Sequence, residues 1–255
     1  LEKRGYDVYN FDIYSNPVQD IRDPWAVMDA VREVDVVLHL AAEPFIPYGY
    51  HNPKLFVETN ILGTLNILLA CKRYDIKRLV HWSSSEVYGT NQGRVKLFSK
   101  NTTMDESHPT LPHSTYAVTK LAADRLCYTF FREHKVPVVI LRQFNSYGPR
   151  ETQPYVIPEI IEQLAKSPEL SLGNIHAQRD FTYVEDSARA GVDLLECDDA
   201  VGEVVNVGSG RAWAIEKIAF MLSEIMRPGE HVKINVDEAK LRPYDVDVLR
   251  CDPGK

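Results

Sequence analysis

The chain has 255 residues, an apolar content of 44% and a formal net charge of −7 at neutral pH. This length and apolar content suffice to bury a full core and indicate one or two domains. A net negative charge argues against a general nucleic-acid partner, because phosphate binding needs a basic face, although a few aimed cations can hold a nucleotide. No apolar run reaches membrane-spanning length, so we expect no membrane partner and a cytoplasmic location.

The four cysteines are widely spaced and have no close cysteine or histidine partner of the kind that builds zinc sites. We therefore expect buried thiols in a reducing compartment and no metal site.

The chain begins with a segment that is typical of the end of a helix, Leu1 to Gly5, with the glycine as a stop signal. A strand is predicted over Val8 to Phe11, and it ends at Asp12. Further strands are predicted over residues 35–40, 79–82, 137–141 and 203–207. Helices are predicted over residues 24–33, 55–73, 114–134, 154–166, 185–196 and 213–226.

Two segments carry most of the chemical information. The apolar strand that begins at Leu79 runs into the hydroxyl and acid cluster Ser83 to Glu86, which is typical of a buried strand that ends in a site loop. About thirty residues later a helical pattern places Tyr116 and Lys120 four residues apart, on one face of the helix. The two segments predict that a hydroxyl, a phenol and a cation meet at the carboxyl end of a strand.

The spacing of Tyr116 and Lys120 does not carry this argument alone, because Tyr50 and Lys54 show the same spacing. Pro53 lies within that second pair, so Tyr50 and Lys54 cannot share the middle of a regular helix. The segment that contains Tyr116 has few helix breakers and a regular apolar pattern, which favours the first pair.

Four motifs occur in a fixed order along nearly the whole chain, and they resemble the extended short-chain dehydrogenase/reductases that act on nucleotide sugars. They are Ser-Ser-x-x-Val-Tyr-Gly at 83–89, Tyr-x-x-x-Lys at 116–120, Phe-Asn-Ser-Tyr-Gly-Pro-Arg at 144–150 and Arg-Asp-Phe at 179–181. The resemblance implies an α/β fold with a Rossmann-like, doubly wound parallel sheet and a smaller C-terminal lobe that binds substrate. Residues 1–150 with 181–211 would form the NAD-binding domain, and 151–180 with 212–255 the nucleotide-sugar lobe.

NAD is the cofactor that this resemblance implies. An acidic residue that closes the second strand of a dinucleotide-binding unit holds the adenosine ribose, about 20 residues after a glycine-rich loop, and Asp12 fits this role. Asp20 and Ile21 match the pair that contacts the adenine ring. Small residues at the end of a strand allow a cofactor to approach the backbone. The remaining residues that would contact or position the cofactor are Leu40, Ala41, Ala42, Asn60, Tyr116 and Lys120. The two alanines are equally compatible with a packing contact between strand and helix. Asn60 is equally compatible with a purely structural hydrogen bond.

The resemblance implies that the loop before Asp12 lies upstream of Leu1, since the family carries a glycine-rich strand–loop–helix unit there. The family also has more residues between Tyr14 and Asp20. We therefore expect a break or an exposed, disordered connection between Tyr14 and Val18.

Asn145 is implied to bind the substrate diphosphate, and the backbone amides of Val156 and Ile157 the nucleotide base. Arg179 and Arg242 match the family's diphosphate contacts, which suits a guanidinium because its paired donors match phosphate oxygens. Each arginine taken alone is equally compatible with a solvated surface charge. A homodimer is the expected assembly.

Removal of the proton from a sugar hydroxyl requires a base, and a phenol with a pKa near 10 is a poor base at neutral pH unless a cation favours the phenolate. By resemblance Tyr116 is that base, Lys120 supplies the charge, and Ser84 holds the substrate oxygen. The product is a ketone at carbon 4, which acidifies the proton on carbon 5. Glu86 is placed to remove that proton and to drive loss of the 6-hydroxyl group.

The fate of the ketone depends on Ser85, because dehydratases that act on thymidine-diphosphate glucose have an aspartate there, which protonates the leaving hydroxyl. UDP-glucuronate decarboxylases share the Ser-Glu pattern. Further likeness to the UDP-N-acetylglucosamine 4,6-dehydratases of legionaminic-acid-type pathways lies in residues 46–50, Ser85 to Thr90, 179–184 and 208–211. We expect a nucleotide-sugar 4,6-dehydratase; a decarboxylase, a 4-epimerase and a non-enzymatic nucleotide-binding relative remain alternatives.

Overall fold

A computed structural model describes residues 1–89, 103–150 and 154–255. The described helices are α1 (Pro24–Val31), α2 (Pro53–Phe56), α3 (Thr64–Arg73), α4 (Thr115–His134), α5 (Val156–Lys166), α6 (Val184–Glu196) and α7 (Ile215–Met226). The described strands are β1 (Val36–His39), β2 (Arg78–Ser84), β3 (Val138–Gln143), β4 (Asn145–Tyr147), β5 (Glu169–Leu172), β6 (Gln178–Tyr183), β7 (Val204–Val207), β8 (Ala212–Ala214), β9 (Lys233–Val236) and β10 (Val248–Leu249).

The chain forms two compact units. Unit 1 comprises residues 1–87, 114–143 and 188–205, and unit 2 comprises residues 88–113, 144–187 and 206–255. The division differs from the domain boundaries expected from the sequence, chiefly because residues 88–113 belong to unit 2. The physical reason is long-range pairing: Met104 bonds with the backbone on both sides of Cys251, at Arg250 and Asp252, which fastens this early segment to the C-terminal part of the chain.

Unit 1 is built on a four-stranded sheet with the order β1-β2-β3-β7, and the β1–β2 and β2–β3 pairs are parallel. Alternate side chains on β2 face opposite sides of the sheet. His81 lies against Asp124 of α4, whereas Trp82 packs on Gly191 of α6, so helices cover both faces. The Rossmann-like α/β fold predicted from the motifs is confirmed.

Unit 2 contains the strands β10-β6-β4, with β8 antiparallel to β6, and a separate parallel pair of β5 and β9. Its apolar core is formed by α5, α7 and the β5–β9 pair, and includes Ile160, Leu164, Leu172 and Ala219.

The predicted strand over Val8 to Phe11 is wrong. These residues carry no strand pairing with any described residue, because a strand needs a ladder partner as well as a β-forming sequence. Phe11 packs on the core of unit 1 instead. The expected break or disordered connection after Tyr14 is also not found: the amides of Ser15 and Asn16 both bond to the carbonyl of Asp12, which closes an exposed turn.

The helical segment from Pro53 to Arg73 has 21 residues and is long and apolar enough to cross a membrane by length and composition alone, which corrects the expectation that no run has this property. Its buried residues Phe56, Ile67, Leu68 and Cys71 pack inside unit 1, as in a core helix. All four cysteines are free thiols, and Cys197 is exposed rather than buried. Within the described ranges no group of three or more histidine, cysteine or acidic side chains could hold a metal.

Candidate active site

The predicted serine and acid cluster lies at the carboxyl end of β2. Ser84 and Ser85 are buried, and Glu86 is half-buried in the 3-10 turn Ser85–Val87 that follows the strand. The Ser84 hydroxyl oxygen accepts a hydrogen bond of 3.2 Å from the backbone amide of Glu86. This bond uses a lone pair, so the hydroxyl keeps its proton to donate to another group. Thr90, the last residue of the motif, lies outside the described residues.

Helix α4 carries the predicted phenol and ammonium groups one turn apart. Ser114 caps the helix by accepting a bond of 3.1 Å from the amide of Ala117, which fixes the start of the helix at Thr115, one residue before Tyr116. Lys120 is buried, and its Nζ donates a hydrogen bond to the carbonyl of Trp82 in β2. The structure thus joins the helix of Tyr116 to the strand that ends at Ser84.

Burial determines the charge state of Lys120. Loss of solvation lowers the pKa of the ammonium group to about 8, against the opposing attraction of the Asp124 carboxylate. Most molecules therefore keep the cation at neutral pH. A cation in a dehydrated position on the helix of Tyr116 is what stabilisation of a phenolate requires.

Asn60 connects a loop of unit 1 to this helix. It lies in a π-helical turn, Val57–Gly63, a rare conformation that is frequent at functional sites. Its Oδ1 accepts from the amide of Glu43 at 2.8 Å, and its Nδ2 donates to the carbonyl of Glu43 at 3.1 Å and to Thr119 Oγ1 at 3.0 Å. Because these bonds engage the oxygen and both amide protons, Asn60 can position the site by holding Glu43 and α4. Its contribution to cofactor binding stays a prediction.

The residues that follow β1 are exposed enough for a cofactor to approach them closely. Leu40 and Ala41 are exposed and Ala42 is half-buried. The short side chains of the two alanines leave the backbone of this strand end accessible. Their role in binding a dinucleotide stays a prediction.

The other predicted cofactor residues have different surroundings. Asp12 is half-buried and accepts a bond of 2.8 Å from the amide of Tyr14. Asp20 forms an ion pair with Arg22, whose guanidinium lowers the pKa of the Asp20 carboxyl. Ile21 is 6% exposed and packs closely on Gly63 in the apolar core, so its side chain has a structural role.

The two predicted diphosphate-binding arginines share one carboxylate in unit 2. Arg179 is 6% exposed; its guanidinium donates to the carbonyl of Val246 at 2.7 Å and to Asp245 Oδ1 at 2.9 Å. Arg242 lies 3.7 Å from the same oxygen, and 34% of its side chain is exposed. Arg179 therefore supports the chain around Asp245, and Arg242 is the more accessible cation of the two.

Asn145 begins β4, and its Oδ1 is buried without a hydrogen-bond partner among the described residues. Val156 and Ile157 are half-buried at the first turn of α5, where Tyr155 provides no side-chain cap. The first amides of a helix have no partner within the helix, so they are free to meet a ligand. The predicted roles of all three residues remain open.

Two buried carboxylates received no role in the sequence analysis. Asp180 is fully buried and accepts from the amides of Ser209, Gly210 and Cys251 at 2.8–3.1 Å, so it fixes the loop after β7. The sequence signal that could have identified Asp180 is its place in the Arg-Asp-Phe motif. Asp124 lies on α4 one turn after Lys120, and its Oδ2 accepts from Arg142 Nε at 3.0 Å. The four-residue spacing from Lys120 was the signal there.

Comparison with known proteins agrees with this geometry. The family model described as GDP-mannose 4,6 dehydratase matches residues 10–255. The chain is 34% identical over 202 residues to an uncharacterized UDP-glucose epimerase of Bacillus subtilis, covering 75% of this chain and 58% of that protein. It is 30% identical over 241 residues to dTDP-glucose 4,6-dehydratase of Neisseria gonorrhoeae, covering 82% of this chain and 68% of that protein.

A crystal structure of UDP-glucuronic acid 4-epimerase from Bacillus cereus, in complex with UDP-glucuronic acid and NAD, superposes with a TM-score of 0.80. It is 31% identical, and the match covers 89% of this chain and 69% of that one. The bound NAD agrees with the predicted cofactor. The chain spans about half to three-fifths of the length of the first curated relatives that it matches (46–59%).

Proposed function

Since the chain belongs to the GDP-mannose 4,6 dehydratase family of the extended short-chain dehydrogenase/reductases, we propose that it is an NAD-dependent nucleotide-sugar 4,6-dehydratase. The proposed substrate is a UDP-hexose, which is oxidised at carbon 4 and loses water across carbons 5 and 6. The observation that carries this proposal is the hydrogen bond from Lys120 of α4 to β2. Strand β2 ends at Ser84, and Glu86 lies in the turn that follows.

The first step requires three side chains of unit 1. The Ser84 hydroxyl, whose proton is not used in its bond with the Glu86 amide, donates to the substrate oxygen. The Tyr116 phenolate takes the hydroxyl proton at carbon 4, and the Lys120 ammonium stabilises the phenolate. NAD, when bound, accepts the hydride of carbon 4 and returns it to carbon 6. The accessible strand end at Leu40, Ala41 and Ala42 would hold this cofactor.

In the second step Glu86 carries out the elimination of water. The ketone at carbon 4 acidifies carbon 5, so the Glu86 carboxylate removes the proton there while the bond between carbon 6 and its hydroxyl group breaks. The proton taken up by Glu86 leaves with the hydroxyl as water. Ser85 is 2% exposed and is no acid, so Glu86 has to serve as both base and acid.

The serine at position 85, where the thymidine-diphosphate glucose dehydratases have an aspartate, also favours a second candidate function. Without an aspartate before Glu86, the ketone can be reduced again from the other face, which is 4-epimerisation, or can promote loss of carbon dioxide from a UDP-glucuronate. Two of the similar proteins are named as 4-epimerase or UDP-glucose epimerase. We favour the dehydratase over the epimerase because Glu86, half-buried at the strand end, supplies the base that elimination needs at carbon 5.

Incubation of the protein in deuterated water with NAD and one substrate at a time distinguishes these reactions. UDP-N-acetylglucosamine, UDP-glucuronate and dTDP-glucose form the panel. A dehydratase gives a 4-keto-6-deoxy sugar with deuterium at carbon 5, because the proton abstracted there leaves in the eliminated water and solvent supplies the one that carbon 5 takes up when the hydride returns to carbon 6. An epimer unlabelled at carbon 5, or carbon dioxide from UDP-glucuronate, would replace the dehydratase by the corresponding alternative. A protein that binds these compounds and turns over none would be the non-enzymatic relative.

A homodimer is part of the proposal. The side chains of Val57, Leu62, Leu69 and Val118, on the Pro53–Arg73 segment and α4, are exposed by 41–51%, and their burial would favour self-association. Sedimentation equilibrium of the wild type and of Leu62→Glu tests this assignment, since a charge in the interface should give monomers. Retention of the dimer in that variant would contradict it.

A further inference from the structure

A cluster of ionisable side chains, which includes Lys120, is buried inside unit 1 between α4 and the sheet. Four structural elements contribute to it, and every member is at most 4% exposed. The titratable groups are His39 of β1, His81 of β2, Arg142 of β3, and Lys120, Asp124 and Cys127 of α4.

Half of this cluster carries no charge at neutral pH. Burial lowers the pKa of His39 to about 3 and that of His81 well below its usual range, so both rings are neutral. Burial raises the pKa of the Cys127 thiol, which stays protonated. The charges that remain are the Lys120 and Arg142 cations and the Asp124 carboxylate; burial raises the pKa of Asp124, while the two cations favour its charged form.

Asp124 pairs with one of these cations and lies one helical turn from the other. Its Oδ2 accepts from Arg142 Nε at 3.0 Å, with 1% of the aspartate side chain and 5% of the arginine side chain exposed. Lys120 lies four residues before Asp124 on the same helix, so the two side chains lie on one face. A buried ammonium group without an opposite charge tends to lose its proton, and Asp124 supplies that charge.

We propose that Asp124 is a positioning residue for the reaction, whose carboxylate keeps Lys120 in its cationic form and directed to the carbonyl of Trp82. The inference rests on the proposed function, because the cation matters only if Tyr116 acts as a phenolate. Asp124 touches neither substrate nor cofactor in this role; it acts through Lys120.

This assignment differs measurably from a purely structural ion pair. If Asp124 only stabilises the fold through its pair with Arg142, Asp124→Asn should leave the pKa of Lys120 unchanged. If Asp124 is the counter-ion of Lys120, loss of the carboxylate lowers that pKa.

The experiment follows the lysine itself and the reaction in parallel. Titration of ¹⁵N-lysine-labelled protein by NMR, with the Lys120 signal assigned from Lys120→Arg, gives the pKa without any need for turnover. The pH dependence of NAD reduction in a single turnover gives the alkaline limb, where activity is lost as Lys120 loses its proton. Glu133→Gln, an exposed acid on the same helix, is the matched control.

In Asp124→Asn we expect both the pKa of Lys120 and the alkaline limb to fall by about one pH unit, since an opposite charge within a few ångström shifts a pKa by about one to three units. Reduction of NAD above neutral pH should slow about tenfold, with nucleotide-sugar affinity within about threefold of wild type. Glu133→Gln should change neither quantity.

An unchanged Lys120 pKa in a folded Asp124→Asn protein overturns the proposal. If that variant does not fold, Arg142→Gln is compared with the double variant Arg142→Gln/Asp124→Asn, in which no unpaired charge of this pair stays buried: a lower Lys120 pKa in the double variant supports the proposal, and equal values overturn it. If no nucleotide sugar reduces NAD in the wild type, the proposed function fails, while the NMR titration still decides whether Asp124 controls Lys120.

Discussion

Asn60 donates a hydrogen bond of 3.0 Å to Thr119, across 59 positions of sequence, and thereby fastens the π-helical turn to the helix of the candidate active site. Thr119 in turn donates to the carbonyl of Tyr116 at 2.9 Å. The orientation of Tyr116 thus depends on a residue that need not touch any ligand.

We expect Asn60→Ala to lower the free energy of unfolding by about 2–3 kcal/mol, because the backbone amide and carbonyl of Glu43 and the Thr119 hydroxyl each lose a partner in a buried position. Urea denaturation measures this loss. Asn66→Ala is the control, since Asn66 also bonds to backbone carbonyls, those of Ile21 and Arg22, but in a more exposed position. Equal losses of unfolding free energy in the two variants would show that the bonds of Asn60 stabilise the fold no more than those of Asn66.

Tyr116→Phe should abolish reduction of bound NAD and leave the affinity for nucleotide sugar within a few fold of wild type. The reason is that the change removes only the phenolic oxygen, whereas the proposed diphosphate contacts lie in unit 2. Stopped-flow absorbance of NADH and calorimetric titration measure the two quantities. Tyr128→Phe is the control on the same helix, where the ring lies 4.5 Å from the Arg125 guanidinium carbon and keeps this contact without its hydroxyl. Near-normal turnover of Tyr116→Phe would remove the assignment of the base.

Arg179 and Arg242 should respond differently to substitution. Loss of the buried Arg179 side chain removes a donor from the carbonyl of Val246 and one of the donors of Asp245, which keeps those of Asn174 and of the Val246 amide. We therefore expect Arg179→Ala to cost about 3 kcal/mol of unfolding free energy. Arg242→Ala should cost less than about 1 kcal/mol of stability and reduce nucleotide-sugar affinity instead, because its side chain is partly exposed. A stable Arg179→Ala protein that has lost only affinity would restore the simpler diphosphate role predicted from the motif.

The elements that could be predicted from the sequence are those whose signals are local. Helix α4 has a serine at its start and an apolar pattern along its length, and the predicted bounds 114–134 agree with the observed helix Thr115–His134. The strand predicted over Val8 to Phe11 failed because strand formation depends on a partner that the local pattern does not specify.

The site was predictable only as a set of residue types at strand ends. The pairing of Arg179 with Asp245 joins residues 66 positions apart, and no local pattern indicates which carboxylate will meet a given arginine. The burial of Asp124 was equally hidden, because an acidic residue on a helix usually lies on the solvated face.

The neutral histidine His39 should make the protein less stable in acid. Its Nε2 lies 2.9 Å from Thr64 Oγ1, and burial lowers its pKa from 6.5 to about 3. Below its ordinary pKa the unfolded chain binds a proton that the folded chain excludes, so stability falls as the pH drops from about 6.5 toward 3. The loss at about pH 5 should be about 2 kcal/mol from this residue, and His81 adds to it in the same direction.

Urea denaturation of His39→Asn at neutral pH and at about pH 5 checks this sign, since the variant should lose less stability between the two conditions than wild type. His51→Asn, at an exposed position, should keep the wild-type dependence. An unchanged pH dependence in His39→Asn would show that His39 does not exclude the proton.

Glu86→Gln separates oxidation from elimination. The amide has nearly the shape of the carboxylate but cannot take a proton, so oxidation at carbon 4 by way of Tyr116 should proceed while removal of the proton from carbon 5 stops. We expect a burst of bound NADH, observed by absorbance, and no 4-keto-6-deoxy product by mass spectrometry. Glu185→Gln, which changes an exposed acid at the start of α6, should leave both signals at wild-type level.

The outcome of this substitution also decides between the alternatives. A 4-epimerase or a decarboxylase has no base to lose at carbon 5, so Glu86→Gln would retain the turnover of either reaction apart from small changes in binding. Absence of the NADH burst would place Glu86 in the oxidation step, next to Ser84, whose oxygen accepts from the Glu86 amide. Only a burst without product leaves Glu86 as the group that acts after the ketone has formed, and it does so whichever nucleotide the sugar carries.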